Sequence, residues 1–105
     1  MGLKVIGKVV VASAGTPQKL NPTAVSAQGI LVQALSANTG KIFVGDSTLN
    51  KTTLVGCYAV LAVPTANVIP SFSATQQSPG GLDPSLIFID ADNTNDGVLV
   101  SVLQG

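Results

Sequence analysis

Apolar and polar side chains alternate along much of the chain, in short runs. Over residues 3–13, Leu3, Val5, Val9 and Val11 fall on one face of an extended strand, and Lys4 and Lys8 on the other. A period of two is the mark of a strand with one wet face. Gly7 interrupts it as a bulge would. Gly15-Thr16-Pro17 ends this strand, and Asn21-Pro22 marks a further turn. Residues 28–36 form a second strand with apolar residues on both faces. Asn38-Thr39-Gly40 then predicts a tight turn into a third strand, 41–45, as its hairpin partner.

A polar loop follows over 46–56. Residues 58–63 read as a strand that Pro64 breaks, and 66–72 as another that Pro70 interrupts or ends. Residues 73–85, rich in Ser, Gln, Gly and Pro, predict the longest loop; a loop of this length in a small domain is often functional or interface-forming. The last two strands are 86–90 and 98–103, joined by a loop over 91–97 in which Asp96-Gly97 is a turn signal. Ala and Leu occur without a sustained helical stripe. About seven or eight short strands with turns between them predict an all-β fold, an antiparallel β-sandwich or jelly-roll-like small barrel. At 105 residues, without internal repeat or linker, residues 1–105 read as a single domain.

Composition narrows the functional classes. Only 10% of residues are charged, against about 25% in an ordinary soluble domain. Every cation is a lysine (Lys4, Lys8, Lys19, Lys41, Lys51) and every anion an aspartate (Asp46, Asp83, Asp90, Asp92, Asp96). Without histidine there is no Ser-His-Asp or Cys-His pair and no His-based zinc site. The single cysteine, Cys57, lies in an apolar run and reads as a small buried hydrophobe. Zero net charge, no arginine and four scattered aromatics argue against nucleic-acid binding. No apolar run approaches the roughly 18 residues of a membrane-spanning helix. Ala12-Ser13-Ala14 has the form of a signal-peptide cleavage site, but Lys8 breaks the apolar centre such a leader needs, so the segment reads as a strand.

The one candidate metal site is the acidic loop from Asp90 to Asp96. Asp90, Asp92, Asn93, Thr94, Asn95 and Asp96 offer the oxygens that calcium prefers. Counted from Asp92 as a calcium loop, Gly97 falls at the sixth position, but Leu103 stands where a bidentate Glu is required. The loop therefore reads as a turn, and no metal-ligating residue is assigned. Paired carboxylates also suggest a glycosidase, but the chain has no Trp and one Tyr to stack on a sugar. No phosphate-binding loop is present. Lys4 and Lys8 fit a role in solubility and in protecting a sheet edge. No catalytic or cofactor-binding residue is assigned, and no cofactor is expected.

Two segments carry a resemblance. Asn38-Thr39-Gly40-Lys41-Ile42-Phe43-Val44-Gly45-Asp46-Ser47, and Leu86-Ile87-Phe88-Ile89-Asp90-Ala91-Asp92 continuing to Asp96-Gly97-Val98, resemble small virion structural proteins of tailed bacteriophages, of the capsid decoration or cement type. The resemblance spans about the last two-thirds of the chain. It implies an all-β, non-enzymatic subunit located in the virion and made in the host cytoplasm. It implies a homo-oligomer, a trimer, bound to the major capsid protein, with neither nucleic acid nor membrane as partner.

The residues themselves point the same way. Strands 30–35 and 58–63 are apolar on both faces, and a two-layer sandwich buries one face of each sheet. The second face then calls for a cover, another copy or a shell. Residues 1–13 as an assembly-dependent arm, or the loop 73–85, would supply the grip, and deleting 76–83 is expected to weaken attachment more than folding. A phage tail, spike or head-fibre base component, and a carbohydrate-binding β-sandwich module, are the rival readings.

Overall fold

The computed structural model describes residues 2–21, 27–75 and 84–104. Eight strands follow one another: β1 (Gly2–Val10), β2 (Gln18–Lys19), β3 (Gly29–Ala34), β4 (Ile42–Gly45), β5 (Cys57–Leu61), β6 (Ser71–Thr75), β7 (Phe88–Ala91) and β8 (Gly97–Gln104). A single 3-10 turn, Pro84–Leu86, precedes β7. No helix among the described residues is long and apolar enough to cross a membrane.

The pairing has a simple rule. β1 pairs with β8, β2 with β7, β3 with β6 and β4 with β5, all antiparallel. The chain is thus one long hairpin rolled up, and the roll adds the lateral ladders β3–β8 and β4–β7. Two four-stranded sheets result, ordered β1-β8-β3-β6 and β2-β7-β4-β5. This winding is a jelly roll, and the expected all-β sandwich is the fold. Strands β1 and β2 end the two sheets on one flank, and β5 and β6 on the other.

The core is aliphatic and lies between the sheets. Val98, Val100 and Val102 of β8 are buried, as are Ile30, Val32 and Ala34 of β3, at alternate positions of each strand. Ile42, Val44, Leu61, Ile89 and Ala91 answer them from the second sheet. β-branched side chains suit this setting because little rotamer freedom remains to be lost.

Several expectations are corrected. Strands 28–36 and 41–45 are not a hairpin: β3 pairs with β6 and β8, and β4 with β5 and β7. The segment around Asn38-Thr39-Gly40 crosses from one sheet to the other, and so does the loop after β7. Turn-forming residues reverse the chain without dictating which sheet receives the next strand. The strand expected at 66–72 begins only after Pro70; residues 65–68 close a tight turn, in which Thr65 and Val68 exchange hydrogen bonds. The last part of the fold is also shifted, because Leu86 belongs to the 3-10 turn and β7 starts at Phe88. Residues 73–75, expected in the loop, extend β6, while residues 76–83 lie outside the described ones.

The bulge at Gly7 is present, and it changes the faces of β1. Val5 stands opposite Ser101 and Gly7 opposite Val100, so Ile6 is the extra residue. Gly7 holds φ at 118°, a value other residues rarely adopt. Residues opposite one another in a ladder share a face. Val9, opposite buried Val98, therefore faces inward, while Val5 faces out and is 70% exposed. Leu3, Val5, Val9 and Val11 do not form one stripe. Lys4 and Lys8 likewise separate: Lys4 stands opposite buried Val102, and Lys8 opposite outward Leu99.

Double-sided burial also falls elsewhere than expected. β4 is buried at all four positions and β7 at three of four. The outward sides of β3 and β5 are open at Leu31, Tyr58 and Val60. Of residues 1–13, considered as an arm, Gly2–Val10 form edge strand β1, which leads into buried Val11.

Candidate functional site

The acidic loop was the sequence's richest chemical feature, and the structure shows how its oxygens are used. Asp90 and Asp96 are 1% and 5% exposed. Asp90 Oδ1 accepts from the backbone N–H of Gly15 at 2.8 Å and of Ala91 at 2.7 Å. The Asp96 carboxylate accepts from the N–H of Thr39 at 3.0 Å and of Gly40 at 2.8 Å. Asn38 completes the cluster: its Oδ1 accepts from Gly97 N–H at 2.9 Å, and its Nδ2 donates to Gly97 O at 2.8 Å. Asn93 Nδ2 donates to Thr39 Oγ1, and Ala14 N–H donates to Thr94 Oγ1.

The bonds of Asp96, Asn38 and Asn93 tie the crossing at 35–41 to residues 93–97, and those of Asp90 and Thr94 tie residues 14–15 to the same end of the fold. The cluster is a clasp between the sheets, satisfying backbone donors that would otherwise be buried without partners. Gly97 fits tightly within it, since a Cβ there would strike the Val9 carbonyl. No three acidic or cysteine side chains come together as a cation cage among the described residues. Cys57 is half-buried, less enclosed than its apolar run suggested.

A second region has no such internal explanation. Seven large apolar side chains are exposed between residues 52 and 75: Leu54, Val55, Tyr58, Val60, Val63, Val68 and Ile69. Val68 is 62% exposed, Val55 58% and Tyr58 57%. These residues occupy the end of the β4–β5 loop, β5, the connection 62–70 and the approach to β6. Tyr58 of β5 stacks on Phe72 of β6, with ring centroids 6.5 Å apart and planes 14° apart, and so closes the seam between the two sheets. Tyr58 is an exposed aromatic, as sugar stacking requires, but one of its faces is taken by Phe72.

The loop that presents Leu54 and Val55 is rigidly built. Asp46 Oδ1 accepts from the N–H and the hydroxyl of Thr48, at 2.8 and 2.6 Å. These bonds, the hydroxyl's foremost, hold the Asp46 carboxyl's pKa below its ordinary value of 3.8. Asn50 Oδ1 accepts from the N–H of Thr52 and Thr53. Leu54 sits at φ 62°, the left-handed region. A leucine there costs about 1–2 kcal/mol, and the loop spends it to hold an apolar side chain half in water.

The signal for this flank lies in the spacing of charges along the sequence. From Thr52 to Leu82 the chain has no charged residue. Counting charges over the whole chain shows a low total and hides where the gap falls. The opposite flank is different: β1 and β2 carry Lys4, Lys8 and Lys19. An open groove of about 520 Å³ runs there between Lys8, Val9, Val10, Gln18, Lys19 and Leu20.

No protein-family model, curated protein or solved structure matches this chain.

Proposed function

We propose that this chain is a non-enzymatic virion structural protein, a capsid decoration or cement subunit that self-associates and binds the major capsid protein. One observation carries the reading: a jelly roll that exposes an uncharged apolar flank along 52–75 while its two buried carboxylates accept bonds from its own backbone N–H groups. Contiguous exposed apolar surface on a small domain is a mark of protein contact. The resemblance to bacteriophage virion proteins supplies the setting, and the scarcity of charge suits a surface that is covered in the assembled particle.

The mechanism is physical. Burying this flank against the shell yields about 25 cal/mol per Å² of apolar area. A subunit that binds only the mature lattice stabilises that lattice by mass action. Co-sedimentation tests it. Heads of the encoding virus, prepared without this protein, are expected to pellet the parent chain and to leave Val60→Lys and Val68→Lys in the supernatant, with both variants melting as the parent does. Equal pelleting of parent and variants would overturn the assignment of the flank, and no pelleting of the parent would overturn the decoration role.

A further inference from the structure

Four strands end the two sheets, and three of them carry a device against pairing with another chain. β1 has its bulge at Gly7, the outward Lys8 and the inward-side Lys4. β2 is two residues long and includes Lys19. β5 is irregular where it meets β4, with a register shift between Val44 and Gly45. Bulges, brevity and edge lysines are the standard defences of an open edge.

β6 has none of these. Its register against β3 is unbroken from Ser71 to Thr75, it has no charged residue, and among the described residues β3 is its only ladder partner. Its order of side chains is also nearly symmetric about Ser73. Phe72 and Ala74 stand opposite buried Val32 and Ile30, so they face inward; Ser71 and Ser73 stand opposite Gln33 and Leu31 and face out.

We infer that β6 pairs antiparallel with β6 of a second copy, about a two-fold axis through Ser73, joining two four-stranded sheets into one of eight. Such a two-fold contact needs a surface complementary to itself, and three features of β6 meet that need. The axis places Ser73 opposite its own copy, a small hydroxyl pair of the kind that stabilises neighbouring strands. It places Phe72 opposite the partner's Ala74, large against small, on the core side. No charge lies on the strand to be repelled by its own image.

This inference shares only self-association with the proposed function, and its test needs no shell. The two-fold predicts a dimer where the bacteriophage resemblance implies a trimer. Light scattering on the purified full chain is expected to give twice the 10.5 kDa chain mass; a monomer or a trimer overturns the inference. Ser73→Lys and Ser73→Glu, each alone, set like charges opposite one another and are expected to weaken the dimer about 100-fold or more. An equimolar mixture of the two is expected to recover it as a heterodimer. Dimers that persist in both single variants overturn the axis, as does a mixture that stays monomeric. Circular dichroism checks that each variant folds. Ser73→Cys with Cys57→Ser is expected to form a cross-linked dimer on oxidation, because directly paired strand residues lie within disulfide reach; absence of the cross-link in a dimeric variant also overturns it.

Discussion

The two flanks of this jelly roll are built alike and finished differently. Each is made of one edge strand from each sheet, β1 with β2 and β5 with β6. The first flank carries three of the five lysines, a bulge and a very short strand. The second carries exposed valines, isoleucine and tyrosine, and no charge at all between residues 52 and 75. The core places no demand for this asymmetry, since both flanks close the same aliphatic interior. The difference separates a lysine-bearing flank from an uncharged, apolar one, and it shows that low total charge matters less than where the charge is withheld.

The largest effect is expected from the clasp between the inner strands, at Asn38–Gly40 and Asp96–Gly97, which serves as the control. Asp96→Ala strips the partner from the N–H groups of Thr39 and of buried Gly40. The expected loss is about 3 kcal/mol, a fall in melting temperature of roughly 10 °C or more. Calorimetry checks it, and both flanks are expected to lose order in one transition. Separate transitions would show that the flanks are not held as one unit.

The next effect breaks the contrast from the bare side. Val60→Lys and Val68→Lys place charge on exposed apolar positions and are expected to change stability by about 0.5 kcal/mol or less, with loss of shell binding read by co-sedimentation. A smaller effect comes from the guarded side. Replacing Lys4, Lys8 and Lys19 together by Ser is expected to raise non-specific self-association, seen as growth in light scattering with concentration, while the melting temperature stays near that of the parent. Unchanged scattering would remove the guarding role from the lysines.

The smallest effect concerns the loop that presents Leu54 and Val55. The folded Asp46 carboxyl is more acidic than its ordinary value of 3.8. Its contribution is therefore complete above that value and fades as pH falls through the lower, folded one. Asp46→Asn is expected to flatten the part of the acid melting curve below about pH 4 that Asp46 supplies. Because the group is exposed, the change is small, and melting temperatures measured from pH 2 to 6 resolve it.

Much of the fold was legible in the chain because strands leave a local trace. Val, Ile and Thr runs between Gly, Pro, Asn and Asp located β1, β3, β4, β5, β7 and β8, although β2, at two residues, is too short to leave one. Pairing was not legible, because Asn38-Thr39-Gly40 has the chemistry of a hairpin turn and acts as a crossing. Its direction is decided by Asp96 and Gly97, far along the chain. Gly7 announced the bulge, but its consequence, Val5 turned to water, depends on register against β8. For the candidate site, the acidic loop drew attention by residue type, and two of its carboxylates, Asp90 and Asp96, accept backbone N–H groups from distant segments. The apolar flank was written in the sequence as the uncharged stretch after Lys51, and which of its residues are exposed depends on the packing of β5 against β4.

β8 has a consequence in time. It lies between β1 and β3 and sets Gln104 opposite Gly2, so β1 must wait for β8, which is made about ninety residues later. At ribosomal speeds that wait is on the order of ten seconds, and ladders between such distant residues are slow to close even afterwards. Through that interval β1 is an unpaired strand emerging into a crowded cell. Lys4 and Lys8 lie on that strand, and lysines on an open edge disfavour pairing with another chain.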